Sequence, residues 1–197
     1  MAIIYLVRHG KTDFIGKKLC GNLPGIHLNE EGREQAQKAA DYLSKFPIKA
    51  IYSSPMERAC ETAAPLAKKL NLEVITKEFL REINFGDFQG KGEEIMSDPI
   101  CKQFLATPSM VRFPNGESTY ETQQRVGTGL DNQCRDFTPD DQLVFTAHCE
   151  VLRLAVSYAL NLQLDDFQKL TIDPASISKL EWSDQKKKLL LLNYVPK

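Results

Sequence analysis

Arg8 and His9 stand directly after a run of apolar residues, in "IYLVRHGKT". His148 closes a second apolar run, "QLVFTAH". Arg58 lies just past "YSSP", and Glu82 follows a short apolar stretch in "EFLREINFGDFQG". Together these residue types suit phosphoryl transfer without a metal. A neutral imidazole nitrogen at His9 can attack phosphorus, dividing one hard displacement into two easier ones. Planar, multidentate donors hold a phosphate dianion well, which suits Arg8 and Arg58. His148 can donate to the phosphoryl oxygens as charge builds up in the transition state. Glu82 can protonate the departing alkoxide and then serve as base toward water.

Such side chains need rigid elements behind them. The apolar run from Ile3 to Val7 reads as a strand covered on both faces, as in a parallel sheet. "LNEEGREQAQKAADYLSKF" reads as a helix capped by Asn29, with Glu30 and Glu31 in its first turn and Ala36, Ala39, Ala40 and Leu43 on one face. "KAIYSS" is a second strand, and Ser54-Pro55 is expected to open a second helix, Ser54 as N-cap and Pro55 at the first helical position. Ala59, Thr62, Ala63, Leu66 and Leu70 mark the buried stripe of that helix. "LEVIT" is a short third strand. Residues 83–140, with Pro99, Pro108, Pro114 and Pro139, read as short helices and long loops. "QLVFTAH" is a further strand, "EVLRLAVSYAL" a helix, and "SISKLEW" and "KLLLLNYV" form a terminal hairpin around "SDQKKK". The alternation predicts an α/β sandwich with a mostly parallel sheet and an antiparallel edge. In such sheets ligands bind beyond the C-terminal ends of the strands, where Arg8-His9, Ser53-Ser54 and His148 fall.

Composition narrows the partners. The chain has 197 residues, 25 basic and 26 acidic, for a net charge of −1. That balance gives no general attraction to nucleic acid or to an anionic membrane, so an anion must be held by a local cluster. No apolar run is long enough to span a bilayer. Five cysteines without a C-x-x-C pair read as free thiols, and with no signal-like N-terminal segment the expected location is the cytoplasm. The three histidines show neither H-x-H nor H-E-x-x-H spacing, so neither a metal nor another cofactor is expected. His27 reads as a surface side chain and "KKK" at 186–188 as a solvated turn.

Six segments, in order, resemble the histidine phosphatases, the superfamily that includes the cofactor-dependent phosphoglycerate mutases. They are "LVRHGKT", "LNEEGREQA", "YSSPMERACETA", "LREINFGDFQG", "NGESTYETQQRV" and "FTAHCEVLR". The third-last of these looks most like the α-ribazole phosphatase and broad-specificity phosphatase members. The resemblance implies a three-layer α/β/α fold of the phosphoglycerate mutase type and a single domain over 1–197, with a partial lid at about 83–140. It implies that His9 is phosphorylated, that Arg8, Arg58 and His148 bind phosphate, and that Glu82 donates the proton. Thr12, Glu117, Ser118 and Cys149 are candidates for touching the substrate or supporting the residues that do; Ser118 also suits a helix N-cap.

Three positions depart from the family pattern. Lys11 replaces a residue that is often glutamate, glutamine or uncharged, and its side chain is expected in solvent. Ile15 stands where mutase-like members carry an asparagine. Cys149 and Glu150 stand where a pair of small residues is usual, and Cys149 is expected to be a buried, inert thiol. The shortness of the chain between Glu82 and His148 favours a hydrolase acting on a small phosphorylated metabolite, α-ribazole phosphate or a sugar phosphate among the options. A phosphoglycerate mutase is the alternative, and a phosphoprotein phosphatase or a phospholigand-binding protein a further one. Oligomeric state is open; the terminal hairpin offers an edge strand through which a dimer would pair.

Overall fold

The computed structural model describes residues 2–138 and 140–197. Pro139, one of the four prolines noted in the middle of the chain, lies outside them. Six strands form one sheet: β1 (Ala2–Arg8), β2 (Ile48–Ser53), β3 (Val74–Thr76), β4 (Gln142–Ala147), β5 (Ile177–Trp182) and β6 (Lys187–Tyr194), in the order β3-β2-β4-β1-β5-β6. The neighbours among β1 to β4 are parallel, whereas β5 runs antiparallel to both β1 and β6. β1 is therefore flanked by one parallel and one antiparallel neighbour rather than by two parallel ones.

The apolar run of β1 alternates between two cores. Ile4 and Leu6 enter one, packed with residues of α4 (Thr119–Cys134) and α5 (Cys149–Leu160). Tyr5 and Val7 enter the other, with residues of α1 (Glu30–Leu43) and α2 (Glu57–Leu70). Successive side chains point to opposite faces, and both faces are covered, hence the unbroken apolar sequence. The result is the expected three-layer α/β/α arrangement.

Two local expectations are corrected. Ser54 and Pro55 precede the second helix rather than cap it: α2 begins at Glu57 after Met56, and no side chain caps it. Residues 83–140 are less loop-like than their prolines suggest. Besides short 3₁₀ turns and α3 (Pro99–Ala106) they contain α4, 16 residues long. Ser118 is its N-cap in a reciprocal capping box with Glu121, a signal readable in "SxxE". Gly10 does not turn the chain through a positive φ. A Cβ there would meet the carbonyl oxygen of Gly32, so the small residue lets the loop after β1 press against the start of α1.

Candidate active site

The register of the sheet brings the first-named residues together. Arg8 pairs with Ala147 across β1 and β4, and Ser53 with Thr146 across β2 and β4. The ladder extends one step: the His9 N–H donates to the Ala147 carbonyl at 2.9 Å, and the Ser54 N–H to the Thr146 carbonyl at 2.8 Å. His9, Ser54 and His148 thus leave the C-terminal ends of three adjacent strands. The His9 and His148 ring centres lie 5.2 Å apart. A cavity of about 280 Å³ opens there, lined among others by Arg8, His9, Thr12, Arg58, Glu82 and Cys149. His148 is fully buried and does not line the cavity itself.

Each side chain is held in one chemical state. His9 Nδ1 donates to the Gly10 carbonyl at 2.7 Å. Burial first, and then the charges of Arg58 and Arg8, push its pKa down to about 3. The ring is neutral near pH 7, and with the proton fixed on Nδ1 the lone pair is on Nε2. His148 is likewise held neutral, its pKa lowered first by burial and then by Arg58 and His9. Its Nε2 meets Ser54 Oγ at 2.8 Å, and that oxygen also accepts from the Met56 N–H. His148 Nδ1 is buried without a protein partner, and it carries the ring proton in the tautomer in which Ser54 donates to Nε2.

The arginines show the same pattern of half-satisfied donors. Arg58 Nη2 donates to the Gly21 carbonyl at 2.6 Å, while Nη1 is buried and unpaired. Arg8 Nη1 donates to the Ile172 carbonyl at 2.6 Å, while Nε is buried and unpaired. An unpaired buried donor costs about 1–3 kcal/mol. Three in one place, two of them on cations, make a ready receptor for an anion with several oxygens.

Glu82 faces this cluster from a different layer. One oxygen accepts from the Ile83 and Val151 N–H groups, at 3.0 and 3.3 Å, and the other from the Glu150 N–H at 3.4 Å. Those donors and Arg58 favour the carboxylate, yet burial and the neighbouring Glu150 outweigh them and raise its pKa to about 7. Glu82 can both give and take a proton near neutrality.

Residues 4–195 match the family profile of the histidine phosphatase superfamily, branch 1. The chain belongs to that superfamily. It is similar to phosphoserine phosphatase 1 of Hydrogenobacter thermophilus, 30% identical over 98% of this chain and 92% of that protein. It is also similar to the mycobacterial glucosyl-3-phosphoglycerate phosphatase solved with VO3, with a TM-score of 0.87 and 28% identity over 97% of this chain and 98% of that one. A putative α-ribazole-5'-P phosphatase of Escherichia coli, 23% identical over 99% and 97% of the two chains, shares the fold at a TM-score of 0.88. As a histidine phosphatase the chain is a phosphomonoesterase.

The remaining candidates of this histidine phosphatase divide. Thr12 is buried and lines the cavity. Cys149 lines it too, and burial raises its thiol pKa to about 12, so it stays protonated. Ser118 caps α4, and neither it nor Glu117 lines the cavity. Glu117 instead grips Arg125 through two oxygens, at 2.9 and 3.0 Å, and accepts from the Asn84 N–H. Arg125 in turn donates to the Phe79 and Arg81 carbonyls, so the pair anchors the chain on both sides of Glu82. Lys11 points away and pairs with Glu31 at 2.8 Å. Ile15 lines the cavity wall. His27 is exposed and pairs with Glu61. No group of three or more His, Cys, Asp and Glu side chains disposed to hold a metal ion occurs among the described residues.

Sequence reasoning missed the roles of Glu150 and Thr62, and placed Ser54 at the site without its contact to His148. Ser-Pro commonly opens helices, and only the strand register brings Ser54 to His148. Thr62 Oγ1 accepts from the Gly10 N–H at 3.0 Å, fastening the loop that carries His9 to α2. Nothing local in the sequence signals that contact across 52 residues.

Proposed function

We propose that the protein is a metal-independent phosphomonoester hydrolase acting through a phosphohistidine at His9 on a small phosphorylated metabolite. The observation that carries this reading is the neutral His9 with a free Nε2 lone pair beside unpaired donors of Arg8, Arg58 and His148. In the first step Nε2 attacks phosphorus and the ester P–O bond breaks. Glu82 gives its proton to the leaving oxygen, and the alcohol departs. Arg8, Arg58 and the His148 Nδ1–H hold the phosphoryl oxygens where charge concentrates. In the second step water attacks phosphorus, Glu82 takes its proton, and the P–N bond breaks to return His9 to its starting tautomer.

The small cavity and the phosphatase names among its relatives support phosphate esters of small metabolites, phosphoserine and glucosyl-3-phosphoglycerate being the first to assay. Phe85 and Phe104, which line the cavity from the middle of the chain, support a partial lid at about 83–140 within a single domain of 197 residues. Five free cysteines fit a reducing cytoplasm, and no described helix is long and apolar enough to cross a membrane.

The test is turnover of p-nitrophenyl phosphate with a chelator present, beside His9→Ala, followed by a panel of phosphomonoesters ranked by kcat/KM. Turnover should survive the chelator, vanish in His9→Ala, and leave acid-labile phosphate on the wild-type chain after rapid quenching. Failure of the wild type to hydrolyse any ester would overturn the hydrolase reading, and loss with chelator the metal-free one. Faster interconversion of phosphoglycerates, with 2,3-bisphosphoglycerate as primer, than hydrolysis would make it a mutase.

A further inference from the structure

Glu150 is the one carboxylate at the cavity that the two-step chemistry leaves unused. It follows His148 by two residues, in the first turn of α5, and lines the cavity beside Glu82. Oε1 accepts from Arg153 Nη1 at 2.9 Å, and Arg153 is itself tied to the Leu170 carbonyl at 2.7 Å. Oε2 is buried and takes no hydrogen bond. A carboxylate with one oxygen left unsatisfied is costly.

The groups around Glu82 explain what it can do. Arg58 faces Glu82 from α2, Cys20 from the loop after β1, and Cys149 and Glu150 from α5. Burial keeps both thiols protonated, so only Arg58 and Glu150 carry charge. Arg58 and three backbone N–H groups draw the proton off Glu82. Besides burial, only Glu150 opposes them. Burial raises the Glu150 pKa as well, while Arg153, Arg8 and the Cys149 thiol draw it back toward the carboxylate. Two carboxyls that line one site of low dielectric do not both ionise readily, and the ion pair with Arg153 makes Glu150 the one that holds the charge.

We propose that Glu150 is a positioning residue for the proton donor: its carboxylate, fixed by Arg153, keeps the proton shared by the two carboxyls on Glu82 when the ester is bound. The inference rests on the hydrolase reading above. It makes Glu150 matter for esters with poor leaving groups, which need a proton, and not for those with good ones.

The experiment compares wild type with Glu150→Gln, which keeps an oxygen for Arg153, on phosphoserine and on p-nitrophenyl phosphate across pH 5 to 9. For phosphoserine, the fall of kcat/KM at high pH should move about one unit lower in Glu150→Gln, a loss of about tenfold at pH 8 with little change at pH 5.5. For p-nitrophenyl phosphate the two proteins should coincide throughout. Titration of the Glu82 side-chain carboxyl by carbon-13 NMR reads the same proton without turnover, and should show it released at lower pH in Glu150→Gln. An unmoved Glu82 titration, or an equal loss on both esters at every pH, would overturn the proposal. A wild type inactive on every ester would sink the hydrolase reading alone, since the titration still decides the role of Glu150. Glu150→Asp, which retains the charge, should restore part of the shift and guards against a folding defect in the glutamine variant.

Discussion

Glu82 and His9 show how environment, rather than residue type, sets chemistry. An exposed glutamate is a carboxylate at neutral pH, but burial and Glu150 bring this one to about 7. Glu82→Gln should lower kcat/KM on alkyl phosphates by about 10²–10⁴-fold, as expected for loss of a general acid. In the wild type, kcat/KM on such esters should decline as pH rises above about 7, because the donor must be protonated in the first step. A pH-rate profile that stays flat to pH 9 would remove Glu82 from that role. The alkaline limb should be absent with p-nitrophenyl phosphate, whose leaving group needs no proton. The "RHG" motif and the strand before it made His9 legible in the sequence. The tautomer was not, because it depends on the Gly10 carbonyl lying 2.7 Å from Nδ1.

At the scale of elements, the site depends on contacts that α4 makes with distant chain. Its capping box fixes where the helix starts, and the Glu117–Arg125 pair then ties that helix to Phe79, Arg81 and Asn84. Ser118→Ala should cost about 1 kcal/mol of stability by denaturant unfolding, with kcat unchanged. Arg125→Met should lower kcat on alkyl phosphates about tenfold, because the segment carrying Glu82 loses its anchor and small misplacements are costly. If Arg125→Met kept full kcat while losing stability, the pair would serve packing alone. The cap was readable as "SxxE" between residues 118 and 121, whereas the long helix it starts was obscured by prolines on either side. The pairing of Arg125 with backbone carbonyls more than 40 residues earlier has no sequence signal.

For the whole molecule, keeping Glu82, the proposed proton donor, inside the fold trades stability for chemistry. Glu82 has its pKa raised from 4.5 in an unfolded chain to about 7, so its stabilising contribution is whole below about pH 4.5 and is lost as pH rises toward 7. Glu82→Gln removes that dependence. It should match wild type near pH 4.5 and exceed it above pH 7, by up to roughly 3 kcal/mol, read from thermal or denaturant unfolding at several pH values. A gain independent of pH would point to packing instead. The buried histidines act in the other direction, since their lowered pKa values favour the fold above about 6.5 and less so below, and the glutamine variant isolates the carboxyl from them. The sequence by itself determined the alternation of strands and helices, the family, and the residues placed at strand ends, because periodicity and short motifs are local properties. Only the tertiary structure decided that Ser54 meets His148, that Glu117 and Arg125 anchor the chain on both sides of Glu82, and that Glu150 lines the same cavity as Glu82. Those relations follow from strand register and from the packing of α2, α4 and α5 against one end of the sheet. They join residues 33 to 94 positions apart, whose proximity no local pattern encodes.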